Sequence, residues 1–235
     1  MTCKHCRSNQ HTLGACPTRW AERVAAYGRR GQKLRTEEVN DLYQASRRVF
    51  RYTLRSANFD ERGTTALLTK FNDAGPRSAP TAAFSSVVPG RPQSGADGNR
   101  INRWLLPEGH KQYATEREAR LVGTRFILQA LSMQDAPEVP GNALRDDFMW
   151  LTGHIIEPGQ YDDPVMKIPI NFVEMFKDPR IVTSGHIVPL SHDGGFHTIE
   201  NTFLQLKKSN DLQGDNTVDE LLEMMQGILM RHGKI

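Results

Sequence analysis

Between Thr36 and about Ala57 the apolar residues Val39, Leu42, Tyr43, Val49, Phe50 and Leu54 recur at helical spacing, which predicts an amphipathic helix. A second helix is expected from Thr115 to about Met133. A third is expected from Leu144 to Thr152, with Phe148, Trp150 and Leu151 as core residues, and a short one over Pro169–Lys177. After Lys177 the period changes. His186-Ile-Val-Pro-Leu190 and Phe203–Leu206 are short apolar runs flanking the turn signal Gly194-Gly195, the pattern of two hairpin strands. A short helix follows from about Lys207, and Thr217-Val218-Asp219-Glu220 is a capping box that starts a terminal helix. Residues 74–100 are rich in Pro, Gly, Ser and Ala and read as a long loop or linker. The expected class is therefore α+β: a mainly helical chain with a small hairpin-and-helix module near its C-terminal end.

Composition narrows the setting. The chain has 235 residues, of which 38% are hydrophobic and 8% aromatic, as in a globular protein with some loose segments. No run of about 18 apolar residues exists to span a membrane, and the sequence is polar from its second residue, so a cytoplasmic location is expected. The net charge of +3 hides an asymmetry. Residues 1–56 hold twelve Lys and Arg against four Asp and Glu, a balance of 12 − 4 = +8, and the remainder carries 18 − 23 = −5. Such a basic first quarter suits a polyanion, nucleic acid above all, or else a solvated basic surface. Within the predicted helix, Arg47, Arg48, Arg51 and Arg55 form one basic stripe. Guanidinium forks suit phosphates, which makes these four candidate DNA contacts.

All three cysteines lie in the first sixteen residues, as Cys3-x2-Cys6-x4-His11-x4-Cys16. Three thiolates and an imidazole make a closed tetrahedral set of the kind a structural zinc ion takes. The spacing is that of the CCHC zinc knuckle, and residues 1–20 resemble that family. The resemblance implies a small zinc-ordered staple. Lys4 and Thr12 stand where knuckles that bind single strands carry stacking residues, so single-strand binding is not expected of it. His5 fits the spacing less well and reads as a surface histidine.

His186-x14-Asn201-x8-Asn210, on a hairpin followed by a helix, resembles the HNH nuclease motif of the ββα-metal fold. The resemblance covers 178–235 and implies that His186 is the general base, that Asn201 braces the loop and orients the imidazole, and that Asn210 holds a catalytic divalent ion, Mg2+ or Mn2+. Lys207 and Lys208 are further candidate DNA contacts. HNH nucleases commonly place an Asp or His before the base as a second ligand; here it is Gly185. Asp178, Asp211 and Asp215 are the nearest carboxylates in sequence, and His192 and His197 are extra candidates, although a loop histidine is more often solvated than catalytic. Ahead of this module lie a basic helical region, 21–73, the linker, and a helical middle, 101–177. The function implied is a metal-dependent endonuclease on double-stranded DNA, of restriction or homing type, with a homodimer as the route to a double-strand cut. The alternatives are a non-catalytic nucleic-acid-binding protein on a degenerate HNH scaffold and a nuclease subunit of an anti-phage assembly.

Overall fold

A computed structural model describes residues 2–78, 100–140, 144 and 147–235. Its helices are α1 (Pro17–Arg30), α2 (Thr36–Ser56), α3 (Glu61–Ala74), α4 (Glu116–Ala130), α5 (Met149–Thr152), α6 (Phe172–Lys177), α7 (Lys207–Gln213) and α8 (Val218–Arg231). Two antiparallel ladders join them: β1 (Arg77–Ser78) with β2 (Ile101–Asn102), and β3 (Val182–His186) with β4 (Thr202–Leu206). The fold is α+β, mainly helical. No described helix is long and apolar enough to cross a membrane.

α2 forms where the periodicity places it, and all six of its apolar marker residues are buried. It packs between α1 and α4 at the centre of one hydrophobic core, which draws on residues 21–73, 101–177 and 178–235 alike. The basic helical region is thus a central part of the body. α4 starts at Thr115, whose hydroxyl accepts from the Glu118 N–H, as a good N-cap does. The expected helix over 144–152 shortens to the single turn α5, ended by Gly153 in the left-handed region at φ 78°. Phe148 and Leu151 are buried as expected, while the Trp150 side chain lies outside the described set. α1, which is not among the expected helices, buries Val24 among the small residues Ala21, Ala25 and Gly28. A Cβ on Gly28 would sit 2.6 Å from the Phe148 ring, so the missing side chain lets that ring dock.

Most of the predicted linker, 79–99, lies outside the described residues. Its first residues are not linker: Ala74 ends α3 and Ser78 pairs with Ile101. Arg103 holds this junction. Its buried guanidinium donates to the carbonyls of Gly75 (2.8 Å), Gln112 (3.1 Å) and Ala74 (3.3 Å), and so satisfies carbonyls at the open end of α3.

The first hairpin strand also differs from expectation: it ends at His186 instead of opening there. Pro189 has no N–H for a ladder. Beyond Ile187, whose N–H donates to the Asn201 carbonyl, the side chain of Asn201 replaces a strand as partner for Val188. The outer edge of β4 is closed by side chains. Gln129 accepts from the Leu204 N–H, Tyr161 donates to the Leu204 carbonyl, and buried Asp163 accepts from the Leu206 N–H. These contacts occupy the Leu204 N–H and carbonyl and the Leu206 N–H, which another strand would otherwise pair with.

Candidate active site and N-terminal metal site

The β3–β4 register sets His186 opposite Thr202 at the open end of the hairpin. Behind it stands His197, whose Nε2 lies 3.0 Å from the Gly75 carbonyl and whose Nδ1 lies 3.3 Å from His186 Nε2. A carbonyl can only accept, so His197 carries its proton on Nε2 and offers a lone pair at Nδ1. His186 Nε2–H donates to that lone pair, which leaves His186 Nδ1 as the basic nitrogen. Burial, helped by the Arg103 charge, depresses His186 to about 4; the same causes, with His186 itself, push His197 well below its ordinary value. Both rings are neutral at pH 7.

His186 faces a cleft of about 270 Å3 that it shares with Asn210, Gln213, Ser191 and Asp215 on the hairpin side and with Lys111 and Gln112 opposite. α7 begins directly after β4, which brings Asn210 back beside the strand end. Asn210 Oδ1 accepts from Gln205 Nε2 at 2.8 Å. Gln213 Nε2 donates to the His186 carbonyl at 2.9 Å, tying α7 to β3. Asn201 does not line the cleft. Its Oδ1 accepts from the Val188 N–H (2.8 Å), and its Nδ2 donates to the Val188 (2.9 Å) and Phe196 (2.8 Å) carbonyls, so one amide sews the loop after His186 to β4.

Of the three carboxylates nearest in sequence, only Asp215 lines this cleft; it accepts from Ser191 Oγ. Asp178 stands at the far end of β3, bound to Arg180 at 2.8 Å, and Asp211 is held by Lys207 at 2.7 Å. Lys208 is exposed. His192 is half-buried, 3.9 Å from Asp215. His197 corrects the expectation of a solvated loop histidine: it is 1% exposed.

Gly185 has a steric reason. A Cβ there would lie 2.4 Å from Gln205 Cδ and 2.7 Å from the Phe203 ring. Its φ is not in the left-handed region, so space alone demands glycine. The amide that reaches Asn210 passes over the very place where a second ligand would begin. Gly185→Asp is therefore expected to overpack the hairpin, to lower stability by about 1–3 kcal/mol, and to push Gln205 off Asn210 instead of adding a ligand. Urea unfolding of Gly185→Ala and Gly185→Asp checks this, and midpoints equal to wild type would show that the space exists.

The arginines of α2 lie elsewhere; none lines the His186 cleft. Arg48 stacks on Trp20, with its guanidinium 4.1 Å from the ring centroid, and Arg47 lies 5.5 Å over Tyr43. Arg51 pairs with Glu61 at 2.9 Å. Arg48, Arg51 and Arg55 border a recess of about 310 Å3 with Trp20 and Tyr52, close to the cysteine loop.

In that loop the ligand atoms of Cys3, Cys6, His11 and Cys16 all lie within 4.8 Å of one another, and His5 stays outside the set, 2.9 Å from Glu22. Tetrahedral zinc with bonds of about 2.0–2.3 Å needs ligand separations of roughly 3.4–3.8 Å, so the set fits that ion with small adjustment. The Cys6 backbone N–H in particular holds the Cys3 thiol down to about 6, as a thiolate ligand requires; burial pushes Cys16 up. Cys16 also caps α1, with Pro17 as its first residue, and His11 lies edge-on to Tyr52 of α2. The site thus pins the N-terminal loop to the helical body. Elemental analysis is expected to find about one zinc per chain, and none in Cys3→Ser with Cys6→Ser.

No protein-family description matches the chain, and no curated protein matches it. Among solved structures it is similar to a type II restriction endonuclease, at 19% identity and a TM-score of 0.44. That match covers 57% of this chain and 63% of the other, so the chain spans less than two thirds of that protein, and the likeness is too loose to place any residue of the cleft.

Proposed function

We propose that the protein is a metal-dependent DNA endonuclease of HNH type, hydrolysing phosphodiester bonds in the cleft beside β3. The observation that carries this reading is a juxtaposition. The hairpin register and α7 bring a neutral His186 and Asn210 to one cleft, while Asn201 fixes the loop between them. His186 Nδ1 takes a proton from a water molecule as its oxygen attacks phosphorus, and a backbone P–O bond breaks on the opposite side. A bound Mg2+ or Mn2+ would neutralise the phosphate and the leaving oxygen. Asn210 Oδ1 is the residue placed to hold such an ion, with Asp215 the nearest carboxylate in the cleft. His197 keeps His186 Nε2 engaged and thereby turns Nδ1 toward the reaction. Arg47, Arg48, Arg51, Arg55, Lys207 and Lys208 are proposed to contact the duplex backbone.

One observation favours a second reading, a DNA-binding protein without activity: the Asn210 oxygen is already engaged by Gln205, and among the described residues no trio of His, Cys, Asp or Glu forms a metal cluster there. Nicking of supercoiled plasmid by the purified protein, with and without Mg2+ or Mn2+, separates the two. DNA that is bound but uncut under all conditions would overturn the nuclease.

A further inference from the structure

A second recess, of about 460 Å3, lies between α3 and β3. Among the described residues four cationic side chains border it, Lys70, Arg100, Arg103 and Arg180, against one carboxylate, Asp73. That carboxylate is already held by Arg77 at 2.9 Å and by Arg100 at 3.4 Å, and Arg180 is bound to Asp178. Lys70 and Arg103 have no carboxylate partner among the described residues. Arg103 is 5% exposed, and its guanidinium donates to the neutral carbonyls of Gly75, Gln112 and Ala74. Lys70 is half-buried and makes no hydrogen bond or ion pair there. Burial lowers the pKa of its ammonium and the Arg100 charge lowers it further, while Asp178 works the other way. Burial, again with Arg100, brings Arg103 down to about 9, so it is cationic at pH 7. At the same wall Ser78 is 2% exposed, and its buried hydroxyl has no hydrogen-bond partner.

Cations drawn out of water with no anion between them cost free energy. A bound anion would give Lys70 an acceptor and set a counter-charge beside Arg103. Thr69, Thr183 and Ser184 bring hydroxyl-bearing side chains to the same recess. An anion with several oxygens, such as phosphate, can accept from these donors and from Lys70 together. Position indicates where the phosphate comes from. Gln112 lines this recess and the His186 cleft alike. Ser184 and His186 stand two residues apart on one face of β3, a step of about 7 Å along the strand. Adjacent phosphates of one nucleic-acid strand are separated by a similar step.

We propose that the recess at Lys70 is a phosphate-binding site, and that it takes a backbone phosphate neighbouring the one in the His186 cleft. The proposal rests on the reading of that cleft as the place where a DNA strand lies. Lys70 is then a positioning residue, which anchors the strand and touches no reacting atom.

The affinity of the full chain for a labelled duplex of mixed sequence is measured against salt, without added divalent metal so that nothing is cut. Lys70→Met removes the charge and keeps an unbranched, helix-favouring side chain. It is expected to weaken binding about eightfold at about 0.1 M salt, and to lower the slope of log affinity against log salt by about 0.9, as one lost phosphate contact does. Lys70→Gln is expected to do the same, and it serves if the first variant is unfolded by circular dichroism. In a parallel arm, inorganic phosphate replaces chloride at matched ionic strength. It is expected to raise the melting temperature of the wild type and to leave that of Lys70→Met unchanged. A salt slope unchanged in the folded variant overturns the proposal. So does a phosphate effect that the variant loses while its DNA binding stays at the wild-type level, because the recess would then take free phosphate alone. A wild type that binds no duplex overturns the site and the nuclease together. If the salt slope falls as expected and plasmid is never nicked, the phosphate site stands and the nuclease reading falls.

Discussion

Replacing His186 by Ala is expected to lower plasmid cleavage about 10²–10⁴-fold while DNA affinity stays near the wild-type value. In the proposed mechanism the imidazole acts on water, and its ring is held between His197 and the cleft, so its loss would remove proton transfer without removing a phosphate contact. The pH profile adds a sharper test. Burial, helped by the Arg103 charge, depresses this base to about 4. A depressed base stays unprotonated as pH falls, so the rate is expected to hold through pH 6.5 and to decline below it only as the folded fraction does. An acid limb at about 6.5, the value of a solvated imidazole, would mean that the base is another group or that the ring leaves its buried position. A His186→Ala protein that cuts at the wild-type rate would remove His186 from the chemistry.

The second large effect is on folding in acid. His154 and His186 are depressed to about 4 by burial, and His197 lies well below its ordinary value for the same reason. Each has a folded pKa lowered beneath the unfolded value of about 6.5. The unfolded chain therefore takes up protons first, and stability declines as pH falls from about 6.5 toward 4. One such group contributes a slope approaching about 1.4 kcal/mol per pH unit, and three together about 4 kcal/mol. Over two units this rivals the whole stability of an ordinary domain. Urea unfolding at pH 7, 6 and 5 is expected to show the loss, and His154→Gln is expected to reduce the slope by about one third. A flat profile across that range would show that the imidazoles are protonated within the fold.

What the sequence reveals depends on how local each feature is. α2 and α4 are legible because their apolar residues repeat over several turns, and α8 because Thr217 and Glu220 form its capping box. The cysteine site is legible because its four ligands lie within fourteen residues, so spacing alone constrains their geometry. α1 buries Val24 among alanines and a glycine, so a single large aliphatic residue marks its buried face and the signal is easily passed over. The phase of β3 misleads because the apolar run His186–Leu190 continues past the ladder into a loop that a side chain holds. His197 and Arg103 are invisible for a different reason. Their partners at Gly75 are 122 and 28 residues away, and nothing in a single sequence announces such a meeting.

Gly185 pairs with Phe203 and Gln205 with Thr183, so Gly185 and Gln205 meet on the diagonal of the hairpin, and this makes the two positions a single unit of inheritance. A lineage that replaces Gly185 while Gln205 is in place passes through an overpacked hairpin. One that shortens Gln205 first passes through a hairpin in which Asn210 has lost its donor and a buried space stands open. Either path crosses a poorer intermediate, so descent favours keeping both residues or exchanging both together. Relatives with a carboxylate at the position of Gly185 are accordingly expected to carry a small residue at that of Gln205, and the two ways of building this diagonal contact should rarely interconvert.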